Sequence, residues 1–133
     1  MEAIGKLHAF FIHFPMLLFT AALLADVLHY FGKLKTLTIG HWLVIIGVVM
    51  CIPTIITGVA AANGYASSDF FLERHRMLGY TTGICGSLYA GLRISYMIWK
   101  LPLQPFHFVF LSLLLIALVS WTGDYGSLIL AKK

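Results

Sequence analysis

Histidine offers the most chemistry in this chain, and two of the six histidines are placed where their imidazoles could meet. The first long apolar stretch begins near Leu7 and carries His13 about two turns from its start. A later stretch that runs in the same direction carries His75 about one turn from its start. We therefore expect the two rings at similar depth on different helices. Two imidazoles in that arrangement can bind a haem iron axially, one from each side.

The stretch after His75 has one face that is nearly bare of side chains. Small residues recur about one turn apart at Gly79, Gly83, Gly86 and Ala90, and Arg93 ends the series. On a 3.6-residue period these positions share one side of a helix. A flat porphyrin requires such a face, and we interpret Gly79, Gly83 and Gly86 as the surface against the haem. Ordinary close packing of membrane helices is the alternative explanation.

Cations beside His75 suit the propionate groups of a haem. Arg74 and Arg76 flank this histidine, and a guanidinium matches the geometry of a carboxylate. The chain has no CxxCH motif, which excludes a covalently attached c-type haem and leaves haem b. Asp124 is expected about one to two turns from the same membrane surface. We interpret it either as an ion-pair partner of Arg76 and His75 or as a group that takes up protons.

Three more histidines, His29, His41 and His107, fall at the opposite membrane surface. They could bind a second haem or another metal, although each also sits at a helix end, where histidine is common. Asp26 and Arg93 lie slightly deeper. We expect these two to form an ion pair, because an unpaired charge inside a membrane is costly. The alternative is a polar pocket for a quinone head group, with His107 close by.

The composition identifies the elements that must hold these residues. Hydrophobic residues make up 60% and charged residues 11% of the 133 residues, whereas soluble domains carry about 25% charged residues. This predicts an all-α integral membrane protein, a four-helix bundle in contact with lipid and a single transmembrane domain over residues 1–133. Four spans are predicted, at about residues 7–31, 39–62, 72–99 and 106–130. No run of lysine or arginine indicates nucleic-acid binding.

A proline interrupts the first span. Pro15 has no N–H, so it leaves the carbonyl of Phe11 without its helical partner, and lipid supplies no water to replace it. We therefore expect a bend or local irregularity around His13. We also expect another hydrogen-bond donor for the Phe11 carbonyl.

Short motifs follow one another in a set order along the chain. They are His13-Phe14-Pro15 in the first span, Thr57-Gly58 in the second, His75-Arg76 with Leu78-Gly79 in the third, and 123–128 in the fourth. In this order they resemble the DUF2231 family of small four-helix bacterial membrane proteins. The chain departs from that pattern in residues 59–63, which hold no acid, and at Asp124, where glycine is usual. The resemblance implies a protein of the bacterial inner membrane that works with c-type cytochromes in electron transfer.

Two hypotheses follow from these observations. The first is a membrane-embedded b-type haem protein or subunit, with one or two haems, that passes electrons between membrane quinol and a partner redox protein. The second is a cofactor-free structural subunit of a larger membrane complex, whose glycine faces pack against neighbouring helices. A transporter or channel would require a homo-oligomer, since four spans without a repeat leave little room for alternating access.

Overall fold

Five helices make up the described part of the chain. The computed structural model describes residues 2–32, 35–63 and 69–131. Its helices are α1 (Glu2–Phe11), α2 (His13–Tyr30), α3 (Leu37–Ala62), α4 (Phe70–Trp99) and α5 (Pro105–Ala131), and these residues contain no strand. Because α1 continues into α2 as one apolar unit of membrane length, the helices form a four-helix bundle. The predicted fold class is confirmed.

Three helical segments are long and apolar enough to cross a membrane, namely Ala3–Tyr30, Leu37–Ala62 and Pro105–Ile129. Helix α4 is less apolar, yet it runs beside the others from end to end. Its His75 contacts the second half of α5, and its Arg93 contacts the last turns of α2. The 18 residues between these two positions cover about 27 Å, close to the thickness of a bilayer core. Helix α4 therefore extends over the same thickness as its three apolar neighbours.

The two ends of the bundle differ in what they hold, and we name them for that reason. The terminal end holds the start of α1, the end of α3, the start of α4 and the end of α5. The far end holds the end of α2, the start of α3, the end of α4 and the start of α5. Each end places residues from at least three helices next to one another.

The first membrane span is irregular near Pro15, as the sequence predicts. Helix α1 ends at Phe11 and α2 begins at His13, while Ile12 between them keeps helical dihedral angles and donates its N–H to the carbonyl of His8 over 3.1 Å. The carbonyl of Phe11 accepts a hydrogen bond of 3.2 Å from the hydroxyl of Thr54 in α3. The expected substitute donor is thus a side chain from the neighbouring helix, and it ties the break in the first span to α3.

A phenylalanine ring fills the centre of the bundle. Phe19 of α2 is 1% exposed and belongs to the main hydrophobic cluster. A Cβ atom on Gly47 of α3 would lie 2.5 Å from this ring, and one on Gly86 of α4 would lie 3.8 Å from it. The glycines of α3 and α4 therefore make room for an aromatic side chain rather than for direct contact between backbones.

The position of Phe19 leads to a prediction about two glycines. In Gly47→Ala, the added methyl overlaps the Phe19 ring, and overpacking of this kind lowers the free energy of unfolding by about 1–3 kcal/mol. Gly91→Ala is the matched control, because no other atom lies within 4 Å of the new Cβ. There alanine should leave stability unchanged or raise it by up to about 1 kcal/mol, since it favours helix. Unfolding of detergent-solubilised protein, followed by tryptophan fluorescence, measures both, and equal responses would contradict the packing described.

Candidate functional site

Two groups of polar side chains lie inside the bundle, one near each end. The imidazole pair consists of His8 and His75 at the terminal end. The arginine cluster lies near the far end and consists of Asp26, His41, Tyr89, Arg93 and Ser112. Helix α4 contributes to both groups, which are about 27 Å apart along its axis. They are therefore separate sites.

Arg93 is the centre of the arginine cluster and is completely buried. Its guanidinium forms an ion pair with Asp26 of α2, and it donates to the hydroxyl of Tyr89 one turn earlier in α4. Further hydrogen bonds of 3.1 Å run to the hydroxyl of Ser112 in α5 and to Nδ1 of His41 in α3. The predicted ion pair between Asp26 and Arg93 is confirmed, and the cluster joins α2, α3, α4 and α5.

The neighbours of Asp26 complete the network. The hydroxyl of Ser112 donates to Oδ2 of Asp26 over 2.8 Å, and the hydroxyl of Tyr89 donates to the carbonyl of Phe108 over 2.9 Å. The other carboxylate oxygen, Oδ1, is buried without a hydrogen-bond partner among the described residues. It faces the backbone of Gly40, where an added Cβ would lie 2.6 Å away. Glycine at position 40 therefore allows α3 to approach the ion pair closely.

The histidine of the arginine cluster has a defined tautomer. Arginine stays protonated and can only donate, so Nδ1 of His41 must accept the hydrogen bond from Arg93. The imidazole of His41 is then neutral and carries its hydrogen on Nε2. His107, the histidine predicted next to a quinone pocket, instead accepts a hydrogen bond of 3.0 Å from the N–H of Gln104 at the start of α5. The histidine that contacts Arg93 is thus His41, and the quinone pocket stays a prediction.

The second predicted metal site does not assemble in the described residues. His41 is engaged with Arg93, and His107 with the backbone of Gln104. His29 lies in the last turn of α2. Residues 2–32, 35–63 and 69–131 contain no group of three histidine, cysteine or acidic side chains that could hold a metal ion.

The imidazole pair brings two histidine side chains, one from α1 and one from α4, next to each other. The ring centres of His8 and His75 are 6.1 Å apart, and the ring planes are at 85° to each other. Nδ1 of His8 lies 3.0 Å from the carbonyl of Thr54, and Nδ1 of His75 lies 2.8 Å from the carbonyl of Thr122. A carbonyl only accepts, so each Nδ1 carries the hydrogen and each Nε2 keeps a lone pair. Histidines that bind metals are commonly fixed in this way by a carbonyl behind the ring.

Two glycines make space for the imidazole pair. A Cβ on Gly58 of α3 would lie 2.9 Å from Cε1 of His8, and one on Gly126 of α5 would lie 3.1 Å from Cε1 of His75. Each ring therefore lies against a backbone that has no side chain at that point. A larger residue at either position would displace the ring from its carbonyl partner.

The structure corrects the predicted partner of His75. His13 is exposed, and the ring that faces His75 belongs to His8. These two histidines of the first span are five residues apart, which is about 140° around a helix and about 7.5 Å along it. They cannot both face the bundle at the depth of His75. The sequence prediction began the first span near Leu7, but the apolar helical segment begins at Ala3, so His8 lies at the same depth in it as His75 does in α4, which begins at Phe70.

The predicted haem-facing surface is also corrected. Val48 and Leu115 lie 3.2 Å and 3.7 Å from the position of a Cβ on Gly86, and Ile55 lies 3.2 Å from that of Gly83. These two glycines receive side chains from neighbouring helices. Gly79 is more open, since the nearest atom, a methyl of Thr122, is 4.0 Å from the position of its Cβ. Free space on this face is thus limited to the turn next to His75.

The predicted charged partners of the site lie at the surface. Arg74 and Arg76 are exposed at the terminal end, and Arg74 lies over the ring of Phe70 at 5.1 Å. Asp124 is exposed, and its carboxylate forms no ion pair with Arg76 or His75. His75 is held by a backbone carbonyl instead. The predicted link between α4 and α5 through Asp124 is therefore not formed.

Fold and site together define an integral membrane protein, with large apolar side chains exposed on its outside and Asp26, His41 and Arg93 buried inside. The family described as "Predicted membrane protein (DUF2231)" matches residues 5–132. This is nearly the whole chain, and the protein belongs to the DUF2231 family. Both polar groups lie within the matched residues. No curated protein and no solved structure matches the chain.

The arginine cluster leads to a prediction about buried charge. Asp26→Leu leaves the guanidinium of Arg93 buried without its counter-ion and should lower the free energy of unfolding by about 3–5 kcal/mol. The double variant with Arg93→Met removes both charges and should recover most of that loss. Asp124→Leu is the control, since its carboxylate is exposed and forms no ion pair with a described residue, and it should change stability by less than about 0.5 kcal/mol. A double variant no more stable than the single one would contradict the assignment.

Proposed function

We propose that the protein is a redox subunit of the bacterial inner membrane in which His8 and His75 bind the iron of a haem b. The observation that carries this proposal is the imidazole pair, with perpendicular ring planes and both Nδ1 atoms fixed by carbonyls. When bound, a haem iron carries one electron at a time, at a potential set by its axial ligands and their surroundings.

The residues present fit such a group in four respects. Metal–nitrogen bonds of about 2 Å on opposite sides of one atom place two imidazole centres about 6 Å apart, and the pair is 6.1 Å apart. The carbonyls of Thr54 and Thr122 orient the rings. Gly79 leaves space one turn beyond His75. Arg74 and Arg76, exposed at the same end, are available to propionates.

The location of the pair determines where electrons would be exchanged. The pair lies at the terminal end, whereas the polar cluster considered for a quinone lies about 27 Å away along α4. A membrane quinol and a partner such as a c-type cytochrome would therefore both have to approach the terminal end. One haem accounts for this site, and no second site is required by the proposal.

A cofactor-free structural subunit is the second candidate, and a specific observation favours it. The glycine faces of α3 and α4 are filled by side chains of the protein itself, as Phe19 against Gly47 and Ile55 against Gly83 show. On this hypothesis the imidazole pair is a polar contact between α1 and α4. The membrane bundle would then serve as a partner for other helices of a complex.

An absorption spectrum distinguishes the two candidates. Protein purified in mild detergent from haem-replete cells should show a Soret band that shifts on reduction. His8→Ala and His75→Ala should each remove that band, because each removes one ligand, whereas His13→Ala should keep it, because His13 is exposed. A colourless wild-type protein, or loss of the band in His13→Ala alone, would overturn the haem proposal.

The structural candidate has its own test. Gly83→Leu should disturb the packing of Ile55 and weaken the assembly of the protein with its partner helices, which size-exclusion chromatography measures. Gly91→Leu is the control and should leave assembly unchanged, because Gly91 has open space around it. If the spectra of wild-type protein and of both variants are blank and only Gly83→Leu fails to assemble, the structural candidate is supported. A Soret band in the wild-type protein contradicts it.

A further inference from the structure

The far end of the bundle contains an open cavity of about 440 Å³ beside the arginine cluster. This volume lies within the range of ordinary ligand pockets. Its apolar wall includes Leu37, Met97 and Leu101, and its polar lining includes Thr38, His41 and Lys100. His41 is 2% exposed and links the cavity to Arg93.

The polar lining of the cavity offers hydrogen-bond donors. Lys100 supplies an ammonium group, Thr38 a hydroxyl, and His41 has its hydrogen on Nε2 because Nδ1 accepts from Arg93. No acidic residue lines the cavity. A ligand that matches this lining carries negatively charged oxygen atoms.

Lys100 occupies a backbone position where glycine is usual. It ends α4 with φ 47° and ψ 49°, in the left-handed region, and its N–H bonds the carbonyl of Tyr96 over 3.0 Å. A side chain in this conformation costs energy that glycine would not. Lysine at position 100 therefore places a cation at the cavity, but it makes the backbone there less stable than glycine would.

Aromatic residues place the cavity at the membrane surface. Trp99 precedes Lys100 and is 70% exposed, and Trp42 follows His41 and is 55% exposed. Exposed tryptophans of membrane proteins concentrate at the level of the lipid head groups. The cavity therefore lies at the depth where the phosphate groups of lipids are found, and its apolar wall is at the level of the lipid chains.

We propose that this cavity binds the head group of an anionic phospholipid. Lys100 contacts the phosphate, the Nε2 hydrogen of His41 and the hydroxyl of Thr38 complete its hydrogen bonds, and an acyl chain follows the apolar wall. Basic pockets between membrane helices bind anionic lipids in this manner. The proposal is independent of the imidazole pair and of haem.

The test compares lipids that differ only in head group. Purified protein in mild detergent is titrated with phosphatidylglycerol or phosphatidylcholine of identical acyl chains, with inorganic phosphate, and with a short-chain quinone. Phosphatidylglycerol should raise the thermal midpoint, and this rise should shrink with added salt. The other three additions should produce little change. An equal effect of phosphatidylcholine, or an effect of phosphate or quinone in place of phosphatidylglycerol, overturns the proposal.

Two lysine variants separate binding from folding. Lys100→Gly removes the cation and relieves the left-handed backbone, so the lipid-free protein should be as stable as wild type or more so. Its affinity for phosphatidylglycerol should fall about tenfold. Lys35→Gln removes an equal charge at the same end, outside the cavity lining, and should keep that affinity. Unchanged binding in Lys100→Gly, or an equal loss in Lys35→Gln, would contradict the site.

Discussion

A guanidinium that is fully buried in a membrane bundle must be satisfied by the protein alone, and this requirement organises the far end of the structure. Arg93 binds Asp26, and Ser112, Tyr89 and His41 accept further hydrogen bonds from its two terminal nitrogens, while its Nε has no partner among the described residues. These partners come from all four spans. Because lipid offers no replacement partners, displacing any one helix leaves a charge or a hydrogen bond unsatisfied. The ion pair thereby sets the register of the helices relative to one another.

Glycines allow the helices to come close enough together to adopt that register. Gly40 lies against the carboxylate of Asp26, Gly47 against the ring of Phe19, Gly58 against His8 and Gly126 against His75. In each case a side chain from one helix occupies the space that a missing Cβ leaves on another. Helix association in lipid depends on such van der Waals contact, since lipid chains are as apolar as the helices. The glycines thus determine which side chains point inward.

Helix α4 connects the two polar groups. Its low hydrophobicity follows from the polar residues that it contributes to both. It carries His75 toward the terminal end and Tyr89 and Arg93 toward the far end, all of which face other helices. These three side chains are therefore paired within the protein rather than exposed to lipid. Helix α4 packs mainly against α3 and α5, two of the three more apolar segments. The polar chemistry of the molecule is concentrated along this helix.

The sequence by itself determined the membrane bundle, the irregularity at Pro15 and the ion pair of Asp26 with Arg93. These features follow from the free-energy cost of burying a charge or a carbonyl in lipid without a partner. That cost is the same however the helices are arranged. Only the tertiary structure decided that His8, and not His13, faces His75. The rotation of a helix about its axis depends on how all its neighbours pack, and five residues turn a side chain through about 140°.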